Sequence, residues 1–338
     1  MKRLLPFAPL LLLAALLLSP DAALAGAKRG IDLWWSRVLP ALLPSFVCVR
    51  LAQELGLLRS VHRHPRGQLA AVIGFSLVSG APNGAKLLHG LIRDGSLSER
   101  EGEGLLPLVN TVSPAFLVSI IASDLLKNKA LFLPMGLAFY GGSLCCMVPF
   151  LFRRREETTV FAETKAVPFS VALTSAIESS MLDMLRIGGC LLSICTLLSL
   201  IRPLVPGDGA YAALAGAMEV SIGTSAMAEL GLPLRLKASL MIGTAAFGGL
   251  SLALQTLCCC PGLRLGPYLI RKLLLGLLVG LFCYLLFPLF PCVSAAFASS
   301  QQVLQRTASL SALLLSSLLS LSFVGVLSLM LPPAKYRK

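Results

Sequence analysis

Charge is what this chain has least of. Asp, Glu, Lys and Arg make up 13% of its 338 residues, against about a quarter in a soluble globular protein. That leaves too few charges to cover a water-facing surface. Histidine is scarcer still: His62 and His64 share a basic loop, and His89 stands alone. No histidine cluster offers a metal site, and no nucleophile–base–orienter set for an enzyme is found. The ten cysteines lack the paired CxxC spacing of a zinc site. Most of them (Cys48, Cys145, Cys146, Cys190, Cys195, Cys283) lie in apolar stretches as small fillers, and "CCCP" at 258–261 has no histidine partner. "GAPNGAK" at 80–86 is not a nucleotide P-loop, because Ala85 separates Gly84 from Lys86 and a leucine follows. The expectation is a protein that is not an enzyme and holds no metal and no cofactor.

What the chain does have is apolar length. Hydrophobic residues are 56% of the total and the mean hydropathy is +0.82. Windows of about 20 apolar residues, the length of a bilayer-crossing helix, recur along it. "LLLGLLVGLFCYLLFPLF" is apolar all round, whereas a barrel strand alternates. The reading is an all-α polytopic membrane protein. The formal net charge of +13 belongs to short loops that fix orientation, and no basic, aromatic-laced module is present to hold nucleic acid.

The apolar segments read as 4–24, 33–57, 68–92, 105–126, 130–152, 172–202, 211–230, 238–258, 267–290 and 308–331. If all ten crossed fully, Arg153–Arg155 would face outward, against the positive-inside tendency. If 68–92 and 211–230 instead enter and return on one side, the loops of Arg59, Arg63, Arg66, Arg93, Arg100, Arg153–Arg155, Lys165, Arg264, Arg271 and Lys272 are all cytoplasmic. Both termini are then cytoplasmic as well. The expected architecture is about eight transmembrane helices plus two re-entrant helical hairpins. Its units are an N-terminal transmembrane helix or signal anchor (1–32), a first repeat (33–152), a cytoplasmic linker (153–171), a second, inverted repeat (172–290), and a C-terminal transmembrane helix with a basic tail (291–338). The N-terminal segment ends in an A-x-A-like site at Ala23–Ala25. It reads either as a cleaved signal peptide or as a retained helix, and in both cases Gly26 emerges outside.

Two broken segments carry the repeat. "IGFSLVSGAPNGA" (73–85) is followed by a polar turn and "LVNTVSPAFLVSI" (108–120). "AGAMEVSIGTSAM" (215–227) is followed by a second turn and "GTAAFGGLSLALQ" (243–255). Gly74 matches Gly216 and Ser79 matches Ser221. Glycine permits a tight turn and proline cannot continue a helix, so each segment is suited to a hairpin tip inside the membrane. Such backbone is tolerated only in protein or beside water, and paired inverted hairpins are where secondary transporters build their sites.

The candidate binding residues follow from those breaks. Lys86 lies just past the Gly84 break, where free N–H groups and a positive helix end favour an anion. Ser79, Gly80, Pro82, Asn83 and Gly84 form the tip itself. Asn110, Thr111, Ser113 and Pro114 interrupt the next span. Glu219, Ser221, Gly223 and Thr224 are the second-half counterpart, with Gly249, Ser251 and Gln255 opposite them. Glu219 could carry a proton or cation, or balance Lys86. Asp183 and Arg186 are spaced to pair on one helix face, Arg37 and Arg50 read as interfacial, and Trp34 and Trp35 read as an aromatic anchor.

Residues 77–116, "LVSGAPNGAKLLHGLIRDGSLSEREGEGLLPLVNTVSPAF", resemble the sporulation integral membrane protein YlbJ family, within the nucleoside-recognition or gate-domain membrane proteins. The matching positions are Ser79, Gly80, Pro82, Gly84, Ala85, Lys86, Gly95, Ser98, Glu101, Asn110, Ser113 and Pro114. "GAMEVSIG", "AAFGGLSLALQ" and "LWWSRVLPALLPSF" extend the likeness to most of the chain. Ala81 replaces an aromatic residue usual in the family, and Thr111 stands where a second asparagine is common. The resemblance implies a gate-domain transporter of a small anionic solute, with a role in spore formation and dipicolinate movement. Its expected partners are the lipid bilayer, that solute and a second copy of the chain in a homo-oligomer, but no nucleic acid. The alternatives are a non-transporting scaffold or assembly factor and a nucleoside-type solute transporter.

Overall fold

The computed structural model describes residues 7–56, 65–93, 97–151, 167–260, 262 and 264–290. Helices and short connections account for them, with no strand among the described residues. Of the expected linker (153–171), residues 153–166 lie outside this set, as does the span at 308–331, and Phe169 already begins a helix. Among the described residues, five helical stretches have the length and composition to cross a membrane: Pro20–Glu54, Lys129–Met147, Phe169–Leu204, Leu234–Leu257 and Leu265–Leu289.

The N-terminal segment, up to Glu54, departs from expectation. Helix α1 (Ala8–Leu18) is short, and α2 (Pro20–Leu33) runs through a π-wound turn at Trp34–Val38 into α3 (Leu39–Glu54) without a loop. There is therefore no chain break between 24 and 33. The reason is packing on α9 (Phe169–Ile201). Gly26 and Gly30, one turn apart, are both buried, and a Cβ on either would lie 2.7 Å from α9 backbone at Cys195–Thr196 or Leu192. Small residues at this spacing let two helices close on each other. Trp34 is also turned inward and donates to the Met184 carbonyl at 2.9 Å, leaving Trp35 as the exposed ring of the pair.

The two broken segments each fold as helix, tip, helix. In the first, α4 (Pro65–Ser79) and α5 (Asn83–Arg93) flank the tip Gly80–Pro82. A Cβ on Gly84 would meet Ser76 of the opposite arm at 3.2 Å. In the second, α10 (Asp208–Met218) and α11 (Val220–Glu229) flank Glu219, and Gly223 packs directly on the backbone of Gly216. The helix after each pair is itself broken. Helix α6 (Glu99–Val109), started by a Ser98–Glu101 capping box, stops at Asn110–Ser113 before the π-wound α7 (Phe116–Leu125). Helix α12 (Leu234–Phe247) stops at Gly248 before α13 (Gly249–Cys259). Helices α8 (Phe132–Leu151) and α14 (Leu265–Leu286) complete the set.

Helix α14 has the polarity of a lipid-facing element. Leu274, Leu277, Leu281 and Leu285 are open to the exterior, while Tyr268, Leu275, Val279 and Cys283 are buried. A continuous exposed leucine stripe is unfavourable in water and stable against hydrocarbon.

Candidate functional site

The tip of each hairpin touches the break that follows it. The amide of Ala81 donates to the Thr111 carbonyl at 2.7 Å, and Gly80, with φ of +71°, sits so near Ser113 that a Cβ would be 2.7 Å from its nitrogen. In the second half, a Cβ on Gly249 would be 3.0 Å from the Glu219 nitrogen. Ala81 and Thr111 are 30 positions apart, as are Glu219 and Gly249, and the two contacts are offset from each other by 138 positions. That corrects the register expected from Gly74–Gly216 and Ser79–Ser221. Ser79 ends the first arm of its hairpin, whereas Ser221 begins the second arm of the other, so residue identity matched opposite sides of the two tips.

Both tips and both broken helices open onto one cavity of about 60 Å³. Its wall includes Ser79, Gly80 and Ala81, Val112 and Ser113, Glu219 and Ser221, and Gln255. The Glu219 carboxylate accepts from the amides of Ser221 at 2.6 Å and Ile222 at 2.9 Å, capping α11. Side chains from the π-wound turn (Val38), α3 (Leu42, Phe46) and α9 (Ile187) supply the apolar wall. Of the sequence-derived site residues, Ser79, Gly80, Ser113, Glu219 and Ser221 are thus brought together. Pro82, Asn83, Gly84, Gly223, Thr224, Gly249 and Ser251 are buried behind the wall as packing for the tips and breaks.

Lys86 does not point at this cavity, and its counter-ion is not Glu219. Its Nζ lies 2.6 and 2.8 Å from the two oxygens of Asp183. Arg50 joins the same carboxylate at 3.0 Å and Arg186 at 3.2 Å. The Asp183–Arg186 pairing expected from spacing is present, but Arg50 is not the interfacial residue expected. The sequence holds a signal for this group: Asp183 sits within an apolar helix, where an acid needs a partner, and Lys86 and Arg50 are cations in or near apolar segments. Arg37 also has a partner, Asp124, at 2.9 Å, and its guanidinium reaches Ser225 at 3.4 Å.

Asn110 belongs to a third group, away from the cavity wall. Its side-chain amide donates to Thr256 and to the Tyr268 hydroxyl at 3.1 Å, and its main-chain carbonyl accepts from Lys272 Nζ at 3.1 Å. Lys272 is 1% exposed. The expectation of a cytoplasmic loop position for Lys272 is therefore corrected: it lies two turns into α14 and faces the interior. Its neighbours on the chain do reach the surface. Arg264 makes two contacts to the Glu103 carboxylate, and Arg271 donates to the Glu103 carbonyl at 2.6 Å. The hydrogen bond and charge of Arg264, with some help from Arg271, hold the Glu103 carboxyl below its ordinary range, and Glu103 raises Arg264 in turn.

No protein-family model matches the chain, and no solved structure does. The chain is similar to the sporulation integral membrane protein YlbJ of Bacillus subtilis (strain 168). The two are 26% identical over 333 residues, covering 83% of this chain and 82% of the relative. That extent bears out the resemblance to the YlbJ family carried by the first hairpin, and with the long apolar helices it makes the chain a multi-pass integral membrane protein.

Proposed function

We propose that the chain is a membrane transporter that moves a small anionic solute by alternating access. In this reading 68–92 and 211–230 are re-entrant hairpins of two inverted repeats, with about eight transmembrane helices around them and both termini in the cytoplasm. The observation that carries it is the convergence of two hairpin tips and two helix breaks on one cavity. Irregular backbone within a membrane is stable only in protein or beside a water-filled space, and discontinuous helices meeting at a repeat interface are the usual solute site of secondary transporters. The equal 30-position spacing of tip and break in both halves supports the repeat.

The cavity is narrower than the roughly 150 Å³ pocket that admits benzene. An aromatic acid therefore enters only when a tip moves, as alternating access requires. Similarity to a sporulation membrane protein supports a role in spore formation, and the family resemblance makes dipicolinate the first solute to try. Ser79, Gly80, Ser113, Glu219 and Ser221 shape the path, and Lys86 contributes positive charge beside it. The test is uptake by proteoliposomes of purified protein. Saturable uptake of dipicolinate or a related carboxylate is expected, reduced at least tenfold in Lys86→Gln. Absence of uptake for every anion in a broad panel would leave the scaffold reading standing instead.

A further inference from the structure

Lys272 is a cation enclosed without a counter-ion. It is 1% exposed. Its Nζ makes one hydrogen bond, to the main-chain carbonyl of Asn110, and no ion pair among the described residues. An ammonium away from water is costly unless charge or hydrogen bonds compensate it. Here the compensation is a helix end. Asn110 caps the C-terminus of α6, where the last carbonyls carry the negative end of the helix dipole.

The charges on the elements packed against α14 are spent elsewhere. Glu99, Arg100, Glu101 and Glu103 sit in the first turns of α6, and Arg264 and Arg271 hold Glu103. On α12, Arg235 donates to the Tyr284 carbonyl, three turns beyond Lys272, and Lys237 to the Ala228 carbonyl. The titratable groups left nearby are neutral in kind: Tyr268 on α14, Cys260 after α13, and Tyr140, Cys145 and Cys146 on α8.

A second observation comes from the acceptors. Asn110 Oδ1 and Thr111 Oγ1 are buried with no hydrogen-bond partner among the described residues, which is unusual. With the Asn110 carbonyl they make three oxygens on two adjacent residues, as many as an ammonium has N–H groups. Those two residues also link the lysine to the tip. Lys272 holds the Asn110 carbonyl, and the next carbonyl, that of Thr111, holds the Ala81 amide.

We propose that Lys272 is a proton-binding site that controls the first hairpin tip. With the proton bound, the ammonium fastens the break after α6 and the tip stays shut. When Nζ gives its proton to water, the charge that fastened the break is gone and the tip is free to open. The route to water is short, since Lys272 lies about 10 Å along α14 from its start at Leu265. The site itself stands apart from the transport reading. Only its purpose rests on that reading, for which the proton is the coupling ion.

The test is thiol labelling of Ala81→Cys, in a cysteine-depleted background of the full-length protein in detergent. Rates are taken from about pH 5 to about pH 8, where folded proteins are ordinarily most stable, and normalised to denatured protein at each pH. Labelling is expected to rise at least fivefold across that range. Adding Lys272→Arg, which stays charged, keeps it slow throughout, and adding Lys272→Met keeps it fast throughout. Asn110→Asp sets a carboxylate beside the ammonium and moves the midpoint up by about one pH unit or more. Glu219 and His89 remain in both lysine variants, so loss of the pH response there belongs to Lys272. Should Lys272→Arg fail to fold, Lys272→Met and Asn110→Asp carry the test. A wild-type background indifferent to pH, or lysine variants that keep its pH response, overturns the site and leaves Lys272 a structural cap. Dipicolinate uptake by proteoliposomes, with and without an imposed pH gradient, tests the coupling. A threefold or greater response to the gradient, lost in Lys272→Arg, supports it, and uptake indifferent to the gradient overturns it. Labelling as expected with no uptake of any anion overturns the transport reading and leaves the proton site standing.

Discussion

Gly223 and Gly216 bring the two arms of the second hairpin into backbone contact, and nothing larger than hydrogen fits between them. A methyl group at 223 has no flexible side chain to push aside, since the obstructing atoms are main chain. Gly223→Ala is therefore expected to destabilise the protein by about 1–3 kcal/mol, the usual range for overpacking. Gly209→Ala, which meets open space on α10, should leave the melting temperature unchanged. Thermal denaturation of the two variants in one detergent checks the difference. At this scale the sequence was legible where a residue type has a single strong meaning. Gly80, Pro82 and Gly249 marked breaks because few other residues suit them. It was not legible where a residue's role depends on a distant partner. Lys86 and Asp183 are 97 positions apart, and nothing local distinguishes Lys272, which faces inward, from Arg271, which faces out.

Between elements, charge ties α6 to α14. Arg264 and Arg271 both reach Glu103, by its carboxylate and its carbonyl respectively. Because the folded state lowers the Glu103 pKa, the pair contributes fully above the ordinary carboxylate value of about 4.3. That contribution is lost as pH falls through the lowered folded value. Wild type should thus melt above Glu103→Gln at neutral pH. The gap should close on acidification below about pH 4 and shrink in high salt, since exposed pairs are screened. A gap independent of pH would mean that Glu103 acts through packing. Element boundaries were readable from the sequence in the same uneven way. Helices α8, α9 and α14 fall close to their apolar runs. The loop expected near Gly26 does not exist, because the same glycine that permits a turn also permits a close helix contact, and α9 decides which.

Across the whole molecule, two charged groups bracket the cavity. Along the continuous helix of the π-wound turn and α3, Arg37 precedes the wall residues Val38, Leu42 and Phe46, and Arg50 follows them. Thirteen residues of helix separate the two arginines by about 20 Å, so the Arg37–Asp124 pair and the Asp183 cluster stand on opposite sides of the cavity wall that α3 supplies. The ends are not equivalent. Arg37 and Asp124 are 39% and 33% exposed, whereas at the other end Asp183 is 1% exposed and Arg186, which pairs with it, is 66% exposed. In the alternating-access reading proposed above the two open in turn, and each ionic group is then a latch for its own side. A cysteine introduced at Ser221, labelled with a membrane-impermeant thiol reagent in a cysteine-depleted background, reads the cavity from either face. Asp183→Asn should raise labelling several-fold from the face nearer Arg50, and Asp124→Asn from the face nearer Arg37, each without raising the other. Equal labelling from both faces in either variant would describe a pore, and no change in both would mean that the ion pairs brace the helices without gating them.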